Sequence, residues 1–299
     1  MTTHHFVAIG ECMIEMSGGT GDQWNMGIAG DTLNTAWHFR NATSAADWHV
    51  RYVTALGDDR YSDRIATFIS DAGIDASAIA RLSGKRPGLY LIDQEGGDRV
   101  FTYWRENSAA RKMADDPTQL ETAFRGADVI YLSGITLAIL TPDRRAALID
   151  LLGNLPDHCR VAFDPNIRPA LWEDVQTCKD TISRVAGMSD IILPSFDDEA
   201  ALFGDASPTE TVMRYRDLGV TEVVVKNAGN PCMFLSNGQV ETIPTPTVTK
   251  IVDATGAGDS FNAAFLATRL SGKDTADAIR AGQDLSGRVI QTHGALFRA

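Results

Sequence analysis

Short apolar runs alternate along the chain with longer stretches whose apolar residues recur at helical spacing. Phe6-Val7-Ala8-Ile9 reads as a buried strand ending at Gly10. A helix follows over residues 34–40, opened by the polar Asp31-Thr32. Residues 50–56 read as a strand ending at Gly57, and residues 61–72 as a helix with Gly73 as its C-cap. Val129-Ile130-Tyr131-Leu132, Val161-Ala162-Phe163 (closed by Asp164-Pro165), Ile191-Ile192-Leu193 and residues 222–226 are further strands. Residues 143–152, 210–218, 260–270 and 275–290 are further helices. Strands that are apolar throughout, separated by helices, predict a parallel sheet covered on both faces. The expected fold class is α/β, in one doubly wound domain.

One segment breaks this alternation. Gly88-Leu89-Tyr90-Leu91-Ile92, then Gly96-Gly97, then residues 99–105 predict a β-hairpin. Side chains alternate faces along a strand, so Phe101, Tyr103 and Arg105 share one face. With Tyr90 on the partner strand they would form an aromatic and cationic surface over a ligand. A half-buried edge hairpin whose aromatics only pack has the same pattern, and periodicity leaves both open.

Composition narrows the function classes. The chain has 299 residues, 44% hydrophobic and 22% charged, with a formal net charge of -12. No long basic cluster occurs, which argues against a nucleic-acid or anionic-membrane surface. Cys12, Cys159, Cys178 and Cys232 are far apart and form no CxxC pair, so reduced thiols in a cytoplasmic protein are expected. No signal peptide is read at the N-terminus, and no apolar run reaches membrane-spanning length. His4, His5, His38, His49, His158 and His293 make no metal-spaced set.

The richest chemistry lies in residues 252–265, where Gly256, Gly258 and Asp259 stand at a predicted helix start. Bare amides at a helix N-terminus attract anions. A carboxylate in that turn would repel an anion, unless it takes a proton from a group attacking that anion. The pairing points to phosphoryl transfer onto a hydroxyl. A dinucleotide fingerprint fits less well, since its third glycine is missing and the motif lies far from a first βα turn. A Walker A loop lacks its Gly-Lys-Ser/Thr. A capped helix, with Asp259 stabilising the dipole, remains open from these residues alone.

Asp253-Ala254-Thr255-Gly256-Ala257-Gly258-Asp259-Ser260-Phe261 resembles the C-terminal signature of the ribokinase-like (PfkB) carbohydrate kinases, with Ala254 where threonine is usual. Residues 29–36, Ala-Gly-Asp-Thr-Leu-Asn-Thr-Ala, resemble the N-terminal signature. The resemblance covers nearly the whole chain. It implies a single ribokinase-like domain over residues 1–299, a central sheet flanked by helices. A small β lid would come from about residues 11–33 and 86–106. ATP is implied as donor, with Mg2+. Residues 10–15, 30–36, 87–90, 101–105, 164–172 and 194–199 resemble the 2-keto-3-deoxygluconate kinases within the family. They imply phosphorylation of the C6 hydroxyl of a sugar acid. Kinases of fructose, ribose or another ketoaldonate share the same signatures.

By that resemblance Asp259 is the catalytic base, and Gly256, Ala257 and Gly258 form the anion hole. Gly30, Asp31 and Asn34 hold sugar hydroxyls, and Tyr90, Tyr103 and Arg105 cover the substrate. Arg105 and Arg168 are the expected partners of a sugar-acid carboxylate; Arg168 also suits ATP phosphates. Asn166, Ser195, Lys226 and Gly229 border ATP, with Gln283 and Ser286 toward adenine. The family's Asn-x-x-Glu appears here as Ser195 and Asp198, followed by Glu199, so these two carboxylates are expected to organise Mg2+ through water. Asp253 and Thr255 line a monovalent-cation site in some relatives, and a homo-oligomer is expected.

Overall fold

The computed structural model describes residues 3–18, 23–95 and 98–297. Its strands in chain order are β1 (His4–Ile9), β2 (Met13–Gly18), β3 (Trp24–Ala29), β4 (Trp48–Val53), β5 (Ala55–Leu56), β6 (Ala80–Arg81) and β7 (Gly88–Glu95). They continue with β8 (Asp98–Trp104), β9 (Val129–Ser133), β10 (Arg160–Asp164), β11 (Ile191–Ile192), β12 (Glu222–Val225), β13 (Cys232–Ser236) and β14 (Gln239–Ile243). The main sheet runs β14-β13-β12-β11-β10-β9-β1-β4. It is parallel from β12 to β4 and antiparallel at β13 and β14.

The continuous apolarity of these strands has a direct cause. Val7 and Ile9 of β1 enter one hydrophobic core while Phe6 and Ala8 enter another on the opposite face. Ile130 and Leu132 are divided from Val129 and Tyr131 in the same way. Helices α1 (Asp31–Ala42), α2 (Arg60–Asp71), α9 (Ala257–Leu270) and α10 (Thr275–Val289) supply the second core. The first is covered by α3 (Pro117–Phe124), α4 (Gly134–Ala138), α5 (Pro142–Leu152), α6 (Val175–Ala186), α7 (Phe196–Phe203) and α8 (Pro208–Asp217). With both faces covered, alternation has no polar side to show.

Two expectations about strands change. Residues 50–56 are not one strand: the chain leaves the main sheet after β4, and β5 pairs instead with β6. The sheet is also not wholly parallel. Its far edge is the β13–β14 hairpin, turned by Asn237 and Gly238 at φ +49° and +76°. Asn-Gly is a strong hairpin turn because both residues tolerate positive φ.

The lid is a second sheet in the order β3-β2-β7-β8. The expected hairpin is β7–β8, with Tyr90 opposite Tyr103, and its Gly96-Gly97 turn lies outside the described residues. β2 runs parallel to β7 and carries β3 on its other edge. Of the range 11–33, only the strands belong to the lid; Asp31 already opens α1. The lid stands over the carboxyl ends of the parallel strands, where ligands bind in open α/β sheets.

Candidate active site

Between the lid and the strand ends lies a cavity of about 720 Å³. Tyr90, Phe101 and Tyr103 line it from the lid. Gly30, Asp31 and Asn34 line it from the start of α1, and Asp164, Asn166 and Arg168 from the end of β10. The 254–259 turn closes it. A narrower cavity of about 240 Å³ continues past Ser195, Lys226, Ala257 and Gly258, which belong to both. Phe196, Cys232 and Phe261 give it apolar walls, and Gln283 and Ser286 lie at its far side.

The turn before α9 is built for an anion. Gly256 sits at φ +75°, and a Cβ there would come within 2.6 Å of the Ala295 Cβ, so only glycine fits. Asp253 fixes the loop by accepting from the Thr255 and Gly294 amides, each at 2.8 Å. No side chain caps the helix. Of the three residues expected to form the anion hole, Ala257 spends its amide on the Ala254 carbonyl at 3.2 Å. The amides of Gly258 and Asp259 take no partner among the described residues, so these two point the helix dipole at the cavity. Lys226 stands beside them: a Cβ on Gly258 would lie 3.5 Å from its Nζ.

Asp259 accepts a 2.8 Å hydrogen bond from Asn34 Nδ2. Asp259 is half-buried at the cavity floor, and loss of solvent around its carboxyl pushes its pKa up to about 8. Asp31 and Asp164 push in the same direction, while the Asn34 hydrogen bond and Lys226 oppose them. Asp31 is itself raised, chiefly by burial. It is held by the Thr32 amide and by Asn166 Nδ2, both at 2.8 Å. Asn166 adopts the left-handed φ of +32°, rare outside glycine, and its amide is anchored on Asp164 at 3.0 Å. Asp164 also binds Lys226 Nζ at 3.0 Å and Asn262 Nδ2 at 2.6 Å. Asn262 Oδ1 accepts a second bond from that ammonium at 3.0 Å.

The lid surface answers the question that periodicity left open, because its aromatic face lines the cavity. Tyr90 lies 5.6 Å from Tyr103 between ring centroids, and Phe101 stacks on Tyr103 at 6.2 Å. Tyr90 donates a hydrogen bond from its hydroxyl to Glu15, and burial drives its pKa far above the usual phenol value. Arg105 is buried, paired with Glu11, and lies 5.7 Å from the centre of the Tyr103 ring. Arg168 pairs with Asp198 at 3.0 Å and stays half exposed.

Among the described residues, all three cations of the cavity wall are thus already paired with carboxylates: Arg105 with Glu11, Arg168 with Asp198 and Lys226 with Asp164.

Three expected site residues, Asp198, Glu199 and Gly229, line neither cavity. Glu199 is fully buried away from both cavities, bound by Arg214 at 2.7 Å and the Tyr215 hydroxyl at 2.8 Å. Residues 198 and 199 project about 100° apart around α7, so only one can face the site. Asp198 reaches the site only through its ion pair with Arg168, which lines the wider cavity, and Glu199 cannot organise a metal from where it stands. Gly229 is exposed and lines neither cavity; its neighbour Ala228, at φ +47°, does.

Three residues were missed. Asp164 ends the parallel strand β10 and Glu11 stands two residues beyond the parallel strand β1, positions that mark binding sites in such sheets. Asn262 lies one helical turn beyond Asp259, on the same side of α9.

Comparison with known proteins places this geometry. Residues 3–298 match the pfkB family of carbohydrate kinases. The chain is 38% identical to a 2-dehydro-3-deoxygluconokinase of Dickeya dadantii, across 99% of this chain and 98% of that one. A 2-dehydro-3-deoxygluconokinase structure from Thermotoga maritima superposes with a TM-score of 0.85 at 21% identity, covering 99% of this chain and 95% of that one. A ribokinase II structure from E. coli, in complex with ATP and Mg2+, gives a TM-score of 0.84 at 21% identity, again covering 99% and 95%. By its match to the family over residues 3–298 and by its full-length relatives, the chain belongs to the pfkB family of carbohydrate kinases.

Proposed function

We propose that this protein transfers the γ-phosphoryl group of ATP to the C6 hydroxyl of 2-dehydro-3-deoxygluconate. The observation that carries the reading is Asp259 beside the unpartnered amides of Gly258 and Asp259, in a cavity shared with Arg105 and Arg168. As the C6 oxygen bonds to phosphorus, its proton passes to Asp259 and the bond to the ADP oxygen breaks. The two amides and Lys226 stabilise charge on the transferred group. The narrow apolar-walled cavity suits the nucleotide base, and the wider one the sugar. The guanidinium groups of Arg105 and Arg168 match a carboxylate at the other end of that sugar. The similarity to named 2-dehydro-3-deoxygluconokinases supports this choice of acid.

The donor set fits a magnesium ion carried by the nucleotide better than one caged by protein. Among the described residues no three metal-ligating side chains converge, and the cations of the wall are already paired. When bound, Mg2+ would neutralise phosphate charge, and Asp198, tied to the cavity wall through Arg168, would hold it through water. Asp198→Asn is expected to raise the Mg2+ concentration for half-maximal turnover by about tenfold. Glu199→Gln should leave it unchanged. Magnesium titrations of the initial rate check both, and the reverse pattern would return Glu199 to the site.

No helix among the described residues is long and apolar enough to cross a membrane, and the four cysteines are free and buried, which suits a reducing cytoplasm.

The substrate reading is tested by ADP release with 2-dehydro-3-deoxygluconate, fructose, ribose and related ketoaldonates. Phosphorus NMR of the product should show a 6-phosphate of the keto acid. Turnover of ribose or fructose without turnover of any keto acid overturns it.

A further inference from the structure

Among the described residues, four crossings join the lid to the rest of the domain, and Glu11 meets every one. It lies on the first, the 10–12 link between β1 and β2. Gly30, on the second, packs so tightly that a Cβ there would come within 2.2 Å of the Glu11 carbonyl oxygen. Gly88, opening the third, leaves room for the carboxylate: a Cβ would stand 2.9 Å from Glu11 Oε1. On the fourth, Arg105 donates to Oε2 and Ser108 donates to Oε1 at 2.5 Å. Glu11 is only 2% exposed, and Arg105 and Ser108 are buried with it.

We propose that Glu11 is a positioning residue for sugar-acid recognition, clamping the base of the lid and aiming the Arg105 guanidinium at the cavity. It touches no substrate itself. A guanidinium has five N–H donors, and Glu11 engages it through Nη2. Arg105 Nε is buried without a partner. Pinned at one nitrogen and laid over Tyr103, the guanidinium keeps donors in reserve for a carboxylate arriving in the cavity. The Ser108 bond holds the other Glu11 oxygen, so the carboxylate cannot rotate to satisfy Arg105 alone. A long flexible side chain without this anchor would spread over many rotamers, and the lid would lose an ionic tie at its hinge.

The inference rests on the reading in which Arg105 faces the substrate carboxylate, and kinetics separate the two. Glu11→Gln keeps the shape and removes the charge. It should raise KM for 2-dehydro-3-deoxygluconate about tenfold, with kcat and the KM for ATP unchanged. Ser108→Ala should raise the same KM by about threefold. Arg105→Met should raise it at least as much as Glu11→Gln does. In the Arg105→Met background, Glu11→Gln should add nothing further, as expected when one residue acts through the other. A rise in both KM values together, or full additivity in the double variant, means Glu11 is only structural and overturns the inference. If Arg105→Met raises KM and Glu11→Gln does not, the inference alone fails. If Arg105→Met leaves KM unchanged, the carboxylate reading of Arg105 fails first and takes the inference with it. Should Glu11→Gln not fold, Ser108→Ala decides: a rise confined to the sugar acid supports the clamp, and an unchanged KM overturns it.

Discussion

Asp259→Asn is expected to lower kcat by about 10³-fold, the weight of a lost general base, while making the protein more stable. The amide keeps the Asn34 contact, since its oxygen can accept the same 2.8 Å bond. It removes the carboxylate proposed to accept the hydroxyl proton. Binding of ATP should survive, because the free amides are backbone groups. Isothermal titration with ATP and initial rates with the keto acid measure the two effects. More than a tenth of wild-type kcat in the variant would remove Asp259 from the role of base.

The stability gain and the pH profile follow from one raised pKa. Burial, then Asp31 and Asp164, lift Asp259 from the ordinary aspartate value of 3.8 to about 8 in the folded chain. Between those values the folded state binds the extra proton, so stability is full below the unfolded pKa and declines as pH rises toward 8. Asparagine carries no such loss. The Tm advantage of Asp259→Asn should therefore grow from near pH 4 to near pH 8 and level off above. A base must also be ionised, so log kcat/KM should rise with unit slope up to about pH 8 and then flatten. A profile flat from pH 5 to pH 8 would contradict that assignment.

The sequence and the structure agree most closely where chemistry constrains neighbours in the chain. Gly256, Gly258 and Asp259 were legible because one helical turn must supply a left-handed glycine, bare amides and a base within four residues. Gly30 and Asn34 were legible only through the resemblance of residues 29–36 to the family's N-terminal signature. Glu11, Asp164 and Asn262 were not, because each acts through partners distant in sequence. Asp164 is 62 residues from Lys226 and 98 from Asn262, and only the order of strands in the sheet brings them together. Glu199 failed for want of helical phase. Two adjacent acids look alike in a sequence, but a helix presents them to different surroundings, here Arg168 and Arg214. The β13–β14 hairpin did leave a signal, Asn237-Gly238, which the run of parallel strands before it obscured. The aromatic hairpin was recognised as a strand pair, yet only the cavity showed which surface its rings serve.

Lys226→Met should damage both activity and stability, and the two losses should separate in a double variant. Lys226 is largely buried, with its ammonium held by Asp164 and Asn262 at 3.0 Å each. Methionine fills much of the same space but strands the buried Asp164 carboxylate with two hydrogen bonds and no counter-charge. Removing one partner of a buried pair costs about 3 kcal/mol. At the turn, loss of one preorganised charge from the transferred group should lower kcat by about 10²-fold. Lys226 also holds down the pKa of Asp259, so the acid limb of kcat/KM should move above pH 8. Adding Asp164→Asn removes the stranded charge. Most of the lost Tm should then return, and the acid limb should move back down, since Asp164 raises the Asp259 pKa. The kcat should stay low, because neither change restores a cation beside Gly258. Thermal melts and pH–rate profiles of the single and double variants decide this. Recovery of kcat together with Tm would mean that Lys226 serves only to neutralise Asp164, and that the backbone amides alone carry the transferred charge.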